Sequence, residues 1–237
     1  MKQILFLAAI GLLFTTSGCW EDFTIHGNGI EATEGRVITE FNELKSSGSF
    51  DVHITDGDDY EVIVNAESNI IPYIETYVTG NTLHLDIRGI HNVRNHLPMQ
   101  IFVTTPQMKS VSQSGSGAIT TGYFEVDNYE LFISGSGSIT TAVDAILVNA
   151  GISGSGKIHI SGTATQTNFN ISGSGHIDSY DLASSNCDAR ISGSGNMYVS
   201  ASDFIRANIS GSGNVYYTGS PDLEAHISGS GKLISGN

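Results

Sequence analysis

Cations are scarce in this chain. Ten Lys and Arg stand against 24 Asp and Glu, a formal charge of -14 over 237 residues. A field of that sign repels phosphate backbones and excludes nucleic acid as a partner. Charged residues are only 14% and apolar ones 39%, which is not the composition of a disordered chain. Cysteine occurs twice, at Cys19 and Cys187, so no disulfide framework and no redox chemistry are expected. The apolar run from Ile4 to Phe14 is too short to span a bilayer. Metal-ligand spacing is missing too. The acidic stretch Asp56-Gly57-Asp58-Asp59 lacks the spaced ligands of a calcium loop, and His91, Arg94 and His96 have no Cys or acid cluster beside them. No Gly-x-Ser-x-Gly elbow has a His and an acid in suitable order. No catalytic residue, metal or cofactor is therefore expected, and the chain reads as a non-enzyme.

What the chain has in abundance is glycine, 28 residues, concentrated in the tetrapeptide Ser-Gly-Ser-Gly. Seven copies begin at Ser114, Ser134, Ser153, Ser172, Ser192, Ser210 and Ser228, in steps of 20, 19, 19, 20, 18 and 18 residues. A fixed period of this size marks a solenoid of stacked coils. The residue before the motif is Ile133, Ile152, Ile171, Ile191, Ile209 or Ile227, with Gln113 in the first copy. Two residues after it come Ile119, Ile139, Ile158, Ile177, Met197, Val215 and Leu233. Stacking puts these in two internal columns, each buried side chain worth roughly 1.5–3 kcal/mol. At about 4.8 Å per coil, seven motifs span roughly 29 Å. Alternation predicts both glycines inward and both serines outward, with glycine allowing the coil to bend where a Cβ would clash.

Upstream the pattern is less regular. Residues 23–35, with Gly27-Asn28-Gly29, read as a tether. Phe50, Val52 and Ile54 alternate with polar neighbours, and Tyr60 to Val64 follows the acidic turn, predicting a hairpin-like pair. A short helical turn is expected around Pro72, strands at Thr82–Ile87 and Met99–Thr105, and a polar loop between them. The fold expected is all-β: a right-handed parallel β-helix with 18–20-residue coils and an irregular β-rich N-terminal portion. The domains expected are a signal peptide at 1–18, a lipidated tether at 19–35, and one β-helix domain at 36–237, irregular through 110 and regular from 111.

The charged start and small-residue end of residues 1–18 are those of a signal peptide. Ser17-Gly18-Cys19 resembles the bacterial lipobox, with Thr16 in place of the usual Leu. That resemblance implies cleavage before Cys19 and a diacylglycerol on its thiol. Glu21 and Asp22 resemble the surface-export signal of Bacteroidetes-type lipoproteins. Four features are similar to the family called putative auto-transporter adhesin, head GIN domain. They are the Arg36 to Phe41 opening, the strand Ser47 to Ile54, the start Gly80-Asn81-Thr82-Leu83, and the Ser-Gly-Ser-Gly ladder. The resemblance runs from about Gly27 to the end and implies a β-helix on an envelope protein.

The residue just after the motif should form one outward column, and Lys157, His159 and His176 on adjoining coils are the nearest approach to a chemical cluster. Lys157, His159, His176, Asn196 and Asn214 are the candidate ligand face. Asp178 stands alone beside them, whereas a polysaccharide lyase would want stacked acids. The expected function is a non-enzymatic, lipid-anchored envelope protein, an adhesin or interaction module. The expected partners are the membrane through its anchor, a glycan or protein on another surface, and a second copy through the C-terminal coil. Two alternatives stay open: a periplasm-facing structural or sensing lipoprotein, and a β-helix carbohydrate-active enzyme. The location expected is the cell envelope at the outer membrane, on either face.

Overall fold

The structure, a computed structural model, describes residues 24–89 and 92–236. Residues 1–18, read as a signal peptide, and Cys19, Glu21, Asp22 and His91 lie outside the described residues. The chain enters through β1 (Thr24–His26) and β2 (Glu31–Arg36), then makes its first repeat-like coil from β3 (Glu43–Gly48) and β4 (Asp51–Asp56). β5 (Glu61–Glu67) leads through a 3-10 turn at Ile71–Tyr73, with Pro72 in its first turn as expected, into β6 (Ile74–Thr79) and β7 (Thr82–Ile87). β8 (Asn92–Arg94), β9 (Gln100–Thr105) and β10 (Ser110–Gly115) follow.

From there each strand runs most of the way around a coil: β11 (Ala118–Gly135), β12 (Ser138–Gly154), β13 (Lys157–Gly173), β14 (His176–Gly193) and β15 (Asn196–Gly211). β16 (Asn214–Thr218), β17 (Asp222–Gly229) and β18 (Lys232–Ser235) make the last turns. All pairings from β10 to β18 are parallel, so this is a β-solenoid. The two internal columns form as the period predicts. Ile133, Ile152, Ile171, Ile191 and Ile209 are each at most 2% exposed, and Ile119, Ile139, Ile158, Ile177, Met197 and Val215 are buried beside them. In the last coil Ile227 is 43% exposed and Leu223 46%.

The tetrapeptide is a corner, and its two glycines have different tasks. The second points inward as expected. A Cβ on Gly156 would lie 2.6 Å from Cγ2 of Ile133 in the coil above. The first does not point inward. It holds φ near +125° at Gly135, Gly154 and Gly173, a region L side chains avoid. A Cβ on Gly135 would point along the stack, 2.7 Å from the carbonyl oxygen of Gly115. That carbonyl accepts two bonds from the next coil, Ser136 N at 3.0 Å and Gly137 N at 2.9 Å. The pattern recurs at Gly173 with Ser194 and Gly195, and at Gly211 with Ser230 and Gly231.

Register carries the corner one coil further up than the seven copies reach. Ser114 and Gly115 pair with Ser47 and Gly48, and Gly48 also has positive φ. Phe50, fully buried, takes the inward place of the second glycine. Gln113 stands where the other coils have Ile, and its Nε2 donates to the Gly48 carbonyl at 3.0 Å.

The upper end departs from two expectations. β4 and β5 are not a hairpin: both edges of β4 are taken, by β9 and β11, and β5 pairs antiparallel with β9 on one side and β2 on the other. The stretch read as tether, 23–35, also forms paired strands within its described residues. β1 lies parallel to β8, and β2 is the antiparallel neighbour of β5. β7 stacks on β3, and β6 closes that side as its antiparallel partner. The parallel stack therefore ends in antiparallel strands at this end, a way of finishing a sheet that continued coils do not provide.

Glu67 fastens this cap. Its buried carboxylate accepts from the backbone N–H of Gly29, of His96 at 2.8 Å and of Leu97 at 3.4 Å, with His96 Nδ1 3.4 Å away. Burial alone would raise its pKa, but the three N–H donors together with His96 hold it below the usual carboxylate value.

Two outcomes follow from these contacts. Gly135→Ala should destabilise by about 3 kcal/mol or more in urea unfolding, while Ser136→Ala, on the exposed side of the same corner, should stay within about 0.5 kcal/mol. A carboxylate with a lowered folded pKa contributes stability above its unfolded pKa of about 4.3, lost as pH falls through the folded value. Exchange protection of the Gly29, His96 and Leu97 amides should accordingly fall as pH drops below the unfolded carboxylate value, and Glu67→Gln should flatten that dependence.

Candidate functional site

The strand register places the predicted outward column as a single row. Ala118, Ser138, Lys157, His176, Asn196, Asn214 and Lys232 are successive partners across β11 to β18. Lys157, His176, Asn196 and Asn214 thus stand on one face. His159, two residues along β13, belongs to the neighbouring row His159, Asp178, Tyr198, Tyr216. All five predicted residues share the face because strand residues two apart point the same way.

The two rows are built differently. In the first, Oδ1 of Asn196 accepts from the Asn214 backbone N–H at 3.0 Å and from Asn214 Nδ2 at 3.3 Å. No hydrogen bond or ion pair engages the side chains of Lys157, His176 or Lys232 among the described residues, and Nδ1 of His176 is buried without a partner. In the second row Asp178 does not stand alone. His159 Nδ1 lies 3.5 Å from Asp178 Oδ2, and His159 Nε2 lies 3.9 Å from Asp181 Oδ2. Below them Tyr198 and Tyr216 stack at 5.0 Å and 8°, and Tyr180 meets Tyr198 edge-on at 5.4 Å. Burial, with the neighbouring phenols and Asp178, keeps the Tyr180 hydroxyl above its ordinary pKa, so it stays protonated as a donor. A shallow depression of about 380 Å³ opens between Lys157, His159, His176, Asp178 and Tyr198.

Asp181 and the tyrosines escaped sequence reasoning. Tyr198 and Tyr216 carried a signal, since both lie two residues beyond the position after the motif. Asp181 carried none, because a register shift between His159 and Gly162 brings it near.

On the other side of the corner one row is largely paired, with Asp188 Oδ1 left without a partner. Asn168 Nδ2 donates to Asn149 Oδ1 at 3.0 Å, Arg190 pairs with Asp188 at 2.7 Å, and Arg206 pairs with Glu224 at 3.2 Å. Among the described residues no group of three His, Cys, Asp or Glu could hold a metal ion, and no helix is long and apolar enough to cross a membrane. Cys187 sits inside the coil, where burial pushes its thiol up to about 12. It should resist a thiol reagent at pH 8 in the folded protein and react only once the coil is unfolded, which a denaturant-dependent labelling series checks.

Comparison with solved structures gives the same solenoid. A putative adhesin from Bacteroides fragilis superposes with a TM-score of 0.84 at 25% identity, covering 89% of this chain and 99% of its own. A putative lipid binding protein from Parabacteroides distasonis follows at 0.77 and 25%, covering 90% and 100%. A putative adhesin from Parabacteroides merdae, at 0.74 and 21% with 90% and 99% covered, shares the fold. No curated protein matches the sequence. The sequence profile of one family matches residues 40–221, most of the coil and its cap, and the chain belongs to that family, the putative auto-transporter adhesins with a head GIN domain.

Proposed function

We propose that this protein is a non-enzymatic interaction module of the bacterial cell envelope, tethered through a lipid on Cys19 and engaging another surface with the Lys157–His176–Asn196–Asn214 face. The observation that carries this reading is the asymmetry between two faces of one rigid solenoid. One carries a row of amide and ion pairs, with Asp188 Oδ1 left without a partner, while the other holds cations and an imidazole with no protein partner. Desolvating polar groups that are already paired gains little on binding, whereas unpaired groups on a preorganised surface can supply the bonds. The family description and the Bacteroides fragilis neighbour, described as an adhesin, support the same role. The face offers a cluster of side chains but no pair of stacked acids, so the chemistry it supports is recognition.

Protease trimming and antibody labelling of intact cells test the reading, with Cys19→Ser as control. Wild-type protein should be labelled and trimmed on whole cells, and Cys19→Ser should be lost from the membrane fraction. Protection of the wild type until the outer membrane is opened would remove the adhesion role and leave a periplasmic scaffold.

A further inference from the structure

We infer that the row from Lys157 to Lys232 is a binding track for an extended, uncharged glycan lying parallel to the stacking axis. This rests on the reading of that face as an interaction surface, and adds the class of partner and its direction. The row presents five side chains, Lys157, His176, Asn196, Asn214 and Lys232, on consecutive coils. Their spacing is the coil repeat of about 4.8 Å, close to the rise per sugar of an extended glycan. One rung can therefore serve one sugar, and the next rung the next.

The chemistry fits hydroxyl groups, which donate and accept at once. The two bonds that Asn214 donates to Asn196 Oδ1 fix both amides and leave Asn196 Nδ2 as a donor and Asn214 Oδ1 as an acceptor. Asp178 adds a carboxylate acceptor whose Oδ2 faces His159 and whose Oδ1 accepts the Tyr180 backbone N–H at 3.4 Å, each oxygen keeping a second lone pair. Two exposed serine rows, those of the corner, border the track on its other side.

Two other partner classes fit less well. A polyanion would gain Lys157 and Lys232 but meet Asp178 and Asp181 beside them, inside a molecule of charge -14. A protein partner would need an apolar anchor site at the centre of the patch. Here the apolar residues of the same strands, Ile158, Ile177 and Met197, all point inward, and the stacked faces of Tyr198 and Tyr216 cover each other.

The test uses purified Cys19→Ser protein in native affinity gels containing hydroxyethyl cellulose, xylan, galactomannan or, as the charged comparison, polygalacturonate. At least one neutral polymer should retard the protein, and affinity for its oligosaccharides should rise with length up to about five sugars, one per rung. Asn196→Ala with Asn214→Ala should weaken binding about tenfold or more, and Asn149→Ala with Asn168→Ala on the paired face should leave it unchanged. Amide shifts of the wild type on adding the oligosaccharide should trace the row, a readout that survives if the double variant fails to fold. Retardation by no neutral polymer, preference for polygalacturonate, or shifts away from the row overturns the inference. Cells that are labelled at the surface while no neutral polymer binds would refute the glycan track and keep the surface role. Glycan binding by purified protein that is hidden in intact cells would do the reverse.

Discussion

At the corners of the solenoid a glycine carbonyl accepts backbone N–H groups from the coil below, two of them at four corners and one at Gly135 and Gly154. The rest of the molecule depends on that approach. Gly115, Gly173, Gly193 and Gly211 each receive a Ser N–H and a Gly N–H at 2.8–3.1 Å, and only a residue free to hold φ near +125° without a Cβ leaves room for the next coil. The corner sets the register at one end of each long strand. Once it is set, the isoleucines before and after it fall into line, and so do the outward residues. A buried column and an exposed row are thus two products of one backbone contact.

The regular coils were legible because side-chain demand and backbone demand repeat at the same interval. Ile-Ser-Gly-Ser-Gly names the corner, the inward neighbour and the outward row together, and the candidate face could be read residue by residue from it. The upper end was not legible for the opposite reason. Ser47-Gly48-Ser49-Phe50 is the same corner, but Phe50 fills the inward slot that glycine leaves elsewhere, and Ser49 stands 67 residues from the Ser116 it faces. Local alternation placed β4 and β5 correctly and could not say that β9, from forty residues on, would pass between them. The stretch from Thr24 to Gly35 looked like tether because it has few bulky apolar residues. Its strands are held by backbone pairing and by the buried Glu67 carboxylate, which composition does not reveal.

Within the coils, polar side chains take one of two courses. Those in the row from Asn149 to Glu224 pair across the stack, Asn168 with Asn149 and Arg206 with Glu224. Those beyond the corner are fixed in place by the same register and left with unspent hydrogen-bonding capacity. Since both faces share one backbone, the open one inherits the stiffness of the closed one, and its side chains reach a partner already ordered.

Neighbour-only contact also shapes how such a molecule yields to tension. A coil is bonded to the coil above and the coil below and to little else. Force applied between the cap and an end coil loads the corner bonds one tier at a time. Each tier that gives way releases a loop of about 19 residues, about 65 Å of slack at full extension, while the tiers above keep their columns and their glycine carbonyls engaged. A stack of this kind lengthens in steps, spending the load where it is applied and sparing the tiers beyond it.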